Sequence, residues 1–421
     1  MKFTSSSVIA LVAGLASAPV AAQYNTPAPS APPRDYPSAQ QPTAPTTPGQ
    51  AQIKVSSKAA KAIMDLQASV KANDFASVPA KVAAAQAVAQ TKDDRYAIAQ
   101  LQLTAAVAAK DNNAAAAAAD SIAASGFLPP SKVADLYDAV GVQLFNAKQF
   151  PQAVTLFQKS SSLNPQNAEP LKHLAEAMNS QGNRAGGAAA LNKALQISAA
   201  NGQKPEEALY KRALGMAYEA KAPDAVDLGR QWIMAYPSPE SWRNGMAVYR
   251  NLNNPDPATL IDILRLARAT NSLEGTGDFH AYAYEAANEA NYGEAKSLVA
   301  EGLASGKIKA SDPIVQEIQR VLKSKATPTA AELAAAEKGA SVPTAFLRVG
   351  DRYYGAGNYA KAADLYRQAL AKGADKNVAN LRLGEALARS GDKAGATAAF
   401  NAVGGSLADV AKFWLIYLRQ A

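Results

Sequence analysis

Two arginines 34 residues apart, Arg348 and Arg382, and a third seven residues further on, Arg389, are the side chains best placed by type and spacing to do chemistry. Each guanidinium offers a planar fork that grips carboxylate or phosphate oxygens in pairs. Asp351, Tyr354 and Glu385 lie within two turns of them on any helix. They are either neighbours of a ligand or local ion-pair partners on a solvated face. The stretch between carries Gly355-Ala356-Gly357 flanked by tyrosines. A phosphate loop needs a strand before its glycines and a helix after them; here a helical run precedes, so the pair reads as a joint between helices. Gly275-Thr276-Gly277 fails the same test.

Other catalytic constellations are missing. The two histidines, His173 and His280, are 107 positions apart, with neither H-x-x-x-H nor H-E-x-x-H between them. There is no G-x-x-x-x-G-K-[ST], no G-x-S-x-G and no cysteine, which removes thiolate metal sites and thiol nucleophiles. Adjacent acids at Glu206-Glu207 and Asp93-Asp94 suit first helical turns, where they complement the helix dipole. The expectation is a chain that is not an enzyme and needs no cofactor or metal.

The elements that must position these residues repeat. Gly350 and Gly384, Gly357 and Gly391, Asn358 and Asp392, Ala362 and Ala396, Tyr366 and Phe400, and Arg348 and Arg382 are all 34 apart. The same frame runs through Tyr137, Val140, Gly141, Leu144, Ala153, Phe157 and Pro165. It continues through Leu171, Leu174, Ala175, Gly182-Asn183, Leu191 and Ala194. A fixed period of this length is the signature of a stacked-repeat architecture. Alanine-rich composition with only 7% aromatic residues favours closely packed helices.

On those residues the chain resembles tetratricopeptide repeat (TPR) proteins of an exported bacterial kind. Residues 137–165 match the TPR pattern nearly throughout, and 346–369 and 380–403 match it without the closing proline. Weaker copies are read through Gly215, Tyr218, Ala225, Trp232 and Pro237, through Trp242 and Tyr249, and through Phe279, Tyr282, Ala295 and Val299. The resemblance implies an all-α solenoid of antiparallel helix pairs, in which small residues such as Gly141 and Gly350 let helices approach and large ones such as Phe157, Tyr353, Tyr359 and Tyr366 fill the space. It also implies that the first helix of each pair lines a concave face. His173, Arg212, Arg348 and Arg382 share one slot on those helices, with Asp351, Tyr354, Glu385 and Arg389 beside them. The implied role is a scaffold holding protein or peptide segments. The lysines and asparagines of the family's peptide-carboxylate clamp are absent, since those slots hold Asp138, Val142 and Leu209.

The ends set location. Met1-Lys2, an apolar run from Val8 to Leu15 and Val20-Ala21-Ala22 before Gln23 follow the order of a cleaved export signal, giving a periplasmic or secreted product. Eight prolines between Gln23 and Gln50 make an extended tether. The expected divisions are signal 1–22, linker 23–50, alanine-rich TPR-like repeats 51–130, an array degenerate in its middle over 131–342, and a C-terminal repeat pair with a capping helix over 343–421. That cap, from Ala408, is expected to pack on one side and face water on the other. No further apolar stretch is long enough to span a membrane. The formal charge is +8. From Pro343 onward eleven lysines and arginines face six acids, an excess of five, so an acidic envelope polymer (polysaccharide or lipopolysaccharide) is the alternative partner; export argues against nucleic acid.

Overall fold

A computed structural model describes residues 53–420; the expected signal and linker lie outside the described residues. Twenty-one α-helices and one short 3-10 turn make up the described chain, with no strand among the described residues. The chain divides between Gln203 and Lys204 into two compact units. Within each unit the fold is all-α, built of antiparallel helix pairs stacked as repeats.

The first unit holds eight helices: α1 (Ser57–Lys71), α2 (Val78–Val88), α3 (Lys92–Ala108), α4 (Asn112–Ser125), α5 (Pro130–Asn146), α6 (Phe150–Leu163), α7 (Glu169–Ser180) and α8 (Arg184–Ala200). Their lengths, 11 to 17 residues, lie near the limit at which an isolated helix is marginal in water, so packing supplies most of their stability. The caps are built from short polar side chains. Thr91 and Asp94 form a reciprocal capping box at the start of α3. Asp94 also accepts hydrogen bonds from the backbone N–H of Ser56 at 2.7 Å and of Gln90 at 2.8 Å. Burial alone would raise its pKa, but these bonds outweigh burial and hold it at about 2. The Asp94 carboxylate therefore fastens α1 to α3.

The second unit continues with α9 (Glu207–Glu219), α10 (Ala225–Ala235), α11 (Pro239–Asn253), α12 (Pro257–Ala269), α13 (Gly275–Asn288), α14 (Tyr292–Ala304), α15 (Pro313–Lys323), α16 (Ala330–Gly339), α17 (Pro343–Gly355), α18 (Tyr359–Ala371), α19 (Lys376–Ser390), α20 (Lys393–Asn401) and α21 (Ala408–Gln420). The small-against-large pattern is literal in three repeats. A Cβ added at Gly141, Gly350 or Gly384 would sit 2.6, 2.6 or 2.5 Å from the ring of Phe157, Tyr366 or Phe400. Gly357 and Gly391, at φ 77° and 90°, make the turns that no L side chain adopts readily; Asn358 and Asp392 then cap the helices that follow.

Two readings of the sequence are corrected. Gly215 faces open space and Tyr218 is exposed. The pair α9–α10 packs instead through Ala213, Leu214, Met216 and Ala217, with Trp232 and Ile233 on the facing helix. The last helix is not a lid wet on one side. Helix α21 packs on α20 and returns to α10 and α12 near the start of the same unit. Its Gln420 donates to the Ile233 carbonyl at 3.0 Å and accepts from the Trp242 indole at 3.3 Å. Asp409 pairs with Arg230 at 3.2 Å. No helix of the described residues is long and apolar enough to cross a membrane.

Candidate functional site

The expected row of first-helix residues divides into two very different places. In the first unit, Asp138 on α5 and His173 on α7 meet, with Oδ1 and Nδ1 2.8 Å apart. The His173 ring also leans on Phe157, centroids 5.4 Å apart. Successive first helices are thus tied across their shared inner face. Around this bridge, Asp135, Lys172 and Glu176 are half-buried. Arg212 is exposed on α9 in the second unit, and Arg348 is exposed on α17.

The remaining predicted residues do not form an open ladder. Arg382, Glu385 and Tyr354 are buried, and Asp351 is half-buried. They belong to an internal network centred on Arg265 of α12, a residue the sequence reading missed. Arg265 is 2% exposed. Its Nε and Nη2 donate to the two carboxylate oxygens of Glu294 at 3.0 and 2.9 Å. Its Nη1 donates to Glu385 at 3.3 Å and to Asp351 at 3.4 Å. Arg382 donates from Nη1 to Asp351 at 2.6 Å, and its Nε lies 3.6 Å from Asp262. Tyrosine hydroxyls complete the shell: Tyr282 donates to Glu294 at 2.6 Å and Tyr366 to Asp351 at 2.8 Å. The Arg265 guanidinium lies 4.3 Å over the Tyr354 ring, a cation–π contact strengthened by loss of water. Tyr354 therefore faces Arg265 inside the unit, not a partner outside it. Tyr359 was expected in the core but is half-exposed, edge-on to Tyr354 with centroids 5.0 Å apart.

Inner-face arginines stay soluble only where water reaches them. Here both arginines are buried among α12, α14, α17 and α19, water is excluded, and each guanidinium must find buried acids. Two cations meet four carboxylates: Asp262, Glu294, Asp351 and Glu385. The excess negative charge is relieved by protons. Burial pushes Asp262 up to about 6, against the pull of Arg382 and Arg265. Burial, then the charge of Asp262, raises Glu385 well above the usual carboxylate range. Burial would lower Arg265, but Glu294 and Asp351 outweigh it and hold it well above its ordinary value.

A pH dependence follows with a definite sign. A group whose pKa is raised on folding takes up a proton in the native state, so its stability contribution is full at low pH and lost as pH rises. Asp262 faces Arg265 on its own helix, Glu294 from α14, Asp351 from α17, and Arg382 and Glu385 from α19. Its share is lost between about pH 4 and about pH 6. Asp262→Asn is expected to remove that decline. The check is the difference in melting temperature between wild type and variant across this window; a constant difference would refute the assignment.

No known family profile matches the sequence, and no curated protein matches it. Among solved structures, the fold is similar to that of pilF from Pseudomonas aeruginosa, with 12% identity, TM-score 0.25, 63% of this chain and 97% of that chain covered. It is similar to a tetratricopeptide repeat protein from Parabacteroides merdae, with 14% identity, TM-score 0.26, and 70% and 99% covered. It is also similar to the Naa15/Naa10 structure bound to HypK-THB, with 10% identity, TM-score 0.38, and 82% and 63% covered. Likenesses at these values carry no functional argument. The resemblance to TPR proteins rests on the 34-residue spacing, and the ring-over-glycine packing of three helix pairs fits it.

Proposed function

We propose that the chain is a non-enzymatic, exported scaffold that holds protein or peptide segments along the first-helix face of its N-terminal unit. One observation carries this reading. Successive first helices α5 and α7 lie side by side and keep Asp135, Asp138, Lys172, His173 and Glu176 partly accessible. The equivalent face of the second unit is consumed by its own charges. Such a polar row suits adaptable hydrogen bonding to an extended segment.

The test places a photo-crosslinking residue at Glu176, on that face, and separately at Lys193, on the second helix α8. Crosslinks to a discrete protein from 176 and none from 193 support the scaffold. Equal labelling at both, or none, sinks it. Export is tested by sequencing the N-terminus of the mature chain, which should begin at Gln23.

One observation favours a second reading, an anionic envelope polymer on the C-terminal face. Of the eleven lysines and arginines after Pro343, Arg382 alone is buried. Polymer binding that collapses with added salt and on charge reversal of Arg348 would favour it over the protein partner.

A further inference from the structure

A recess of about 290 Å³ opens beside the buried network, over the turn Gly355–Ala356–Gly357. Its wall carries three guanidiniums (Arg265, Arg268 and Arg389) and three tyrosines (Tyr282, Tyr354 and Tyr359), and no carboxylate. Two of the cations are held from behind by acids. Arg265 is on Glu294, and Arg268 donates from Nε to Glu301 at 2.8 Å. Arg389 differs. Its guanidinium lies 5.2 Å over the Tyr359 ring, and Nη2 donates to the Tyr359 hydroxyl at 3.3 Å. No acid among the described residues pairs with it.

A recess lined by one sign of charge between low-dielectric walls concentrates counter-ions. Its size is at the lower end of ligand pockets, about 300 to 1,000 Å³, so it has room for a group no larger than one amino acid. Arg265 and Tyr282 already donate to Glu294, which leaves the N–H groups of Arg389, with the Tyr359 hydroxyl that it donates to, to serve an acceptor-only ligand. We propose that this recess is an oxyanion site, in which Arg389 grips a carboxylate or phosphate group and Arg268 and Tyr359 complete the shell. The site lies in the second unit and does not depend on the first-unit face assigned to scaffolding.

The experiment titrates the full chain with N-acetylglycine, with N-acetylglycinamide and with inorganic phosphate, reading binding by calorimetry. Wild type is compared with Arg389→Gln and with Arg320→Gln, an exposed arginine outside the recess. N-acetylglycine or phosphate should bind saturably, Arg389→Gln should weaken binding by about tenfold or more, Arg320→Gln should leave it unchanged, and the neutral amide should not bind. N-acetylglycine alone binding identifies a chain-end carboxylate as the source; phosphate binding identifies a free oxyanion. Tyr359→Phe, which keeps the ring and removes the hydroxyl, should weaken binding less than Arg389→Gln. Equal affinity of Arg389→Gln and wild type, equal binding of the amide, or no saturable binding of either anion overturns the assignment.

Discussion

Arg265→Met is expected to destabilise the C-terminal unit by roughly 3–5 kcal/mol, the range for removing one partner of a buried ion pair. The methionine fills much of the volume, so the loss is electrostatic: Glu294, at 2.9 and 3.0 Å, and Asp351, at 3.4 Å, would keep buried charge with no guanidinium between them. Lysine should rescue little, because one ammonium cannot engage both oxygens of Glu294 and still reach Glu385. Adding Glu294→Gln to Arg265→Met should recover part of the loss, since the orphaned charge is then removed. The measurement is urea unfolding followed by tryptophan fluorescence. Trp232, Trp242 and Trp414 all lie in the second unit, so the signal reports that unit alone. A loss below about 1 kcal/mol would place the pair in the range of an exposed ion pair and refute the account of a dry network.

Trp414→Ala should be similarly severe, costing about 3–5 kcal/mol for an emptied aromatic site. Trp414 is fully buried and stacks on Phe400, with centroids 5.7 Å apart and an interplanar angle of 15°. It projects from α21 onto the last repeat, so its loss opens the seam that holds α21 in place. Trp414→Phe should cost far less, because the ring stacking survives and the indole N–H, which has no hydrogen-bond partner, is no longer buried. Urea unfolding of both variants, followed through the two remaining tryptophans, checks this. Equal losses for alanine and phenylalanine would show that stacking is not what holds the helix.

Local rules made the repeats legible. Gly141 against Phe157, Gly350 against Tyr366 and Gly384 against Phe400 were readable because each pair lies 16 residues apart within one helix pair. Arg265 was not readable. It matches no position of the period, and its partners Asp351 and Glu385 lie 86 and 120 residues away. The return of α21 to Ile233 and Trp242 spans 187 and 178 residues. Spacing places a side chain on a face of its own repeat. It does not show whether a distant turn of the same chain will cover that face, and this is why Arg382 and Glu385 read as accessible.

The return of α21 also bears on how the unit assembles. An open solenoid contacts only its neighbours, so it can nucleate anywhere and fray from either tip. With α21 packed back on α10 and α12, fraying of α21 must also break contacts to the early helices of the unit. Ordering its ends requires closing a loop of nearly the whole unit, a step that slows folding. During synthesis α21 (thirteen residues) must follow the rest of the unit before Asp409 and Gln420 can reach Arg230, Ile233 and Trp242. Until then the contacts that tie α21 to the early helices are unmade, and their formation is a single late event.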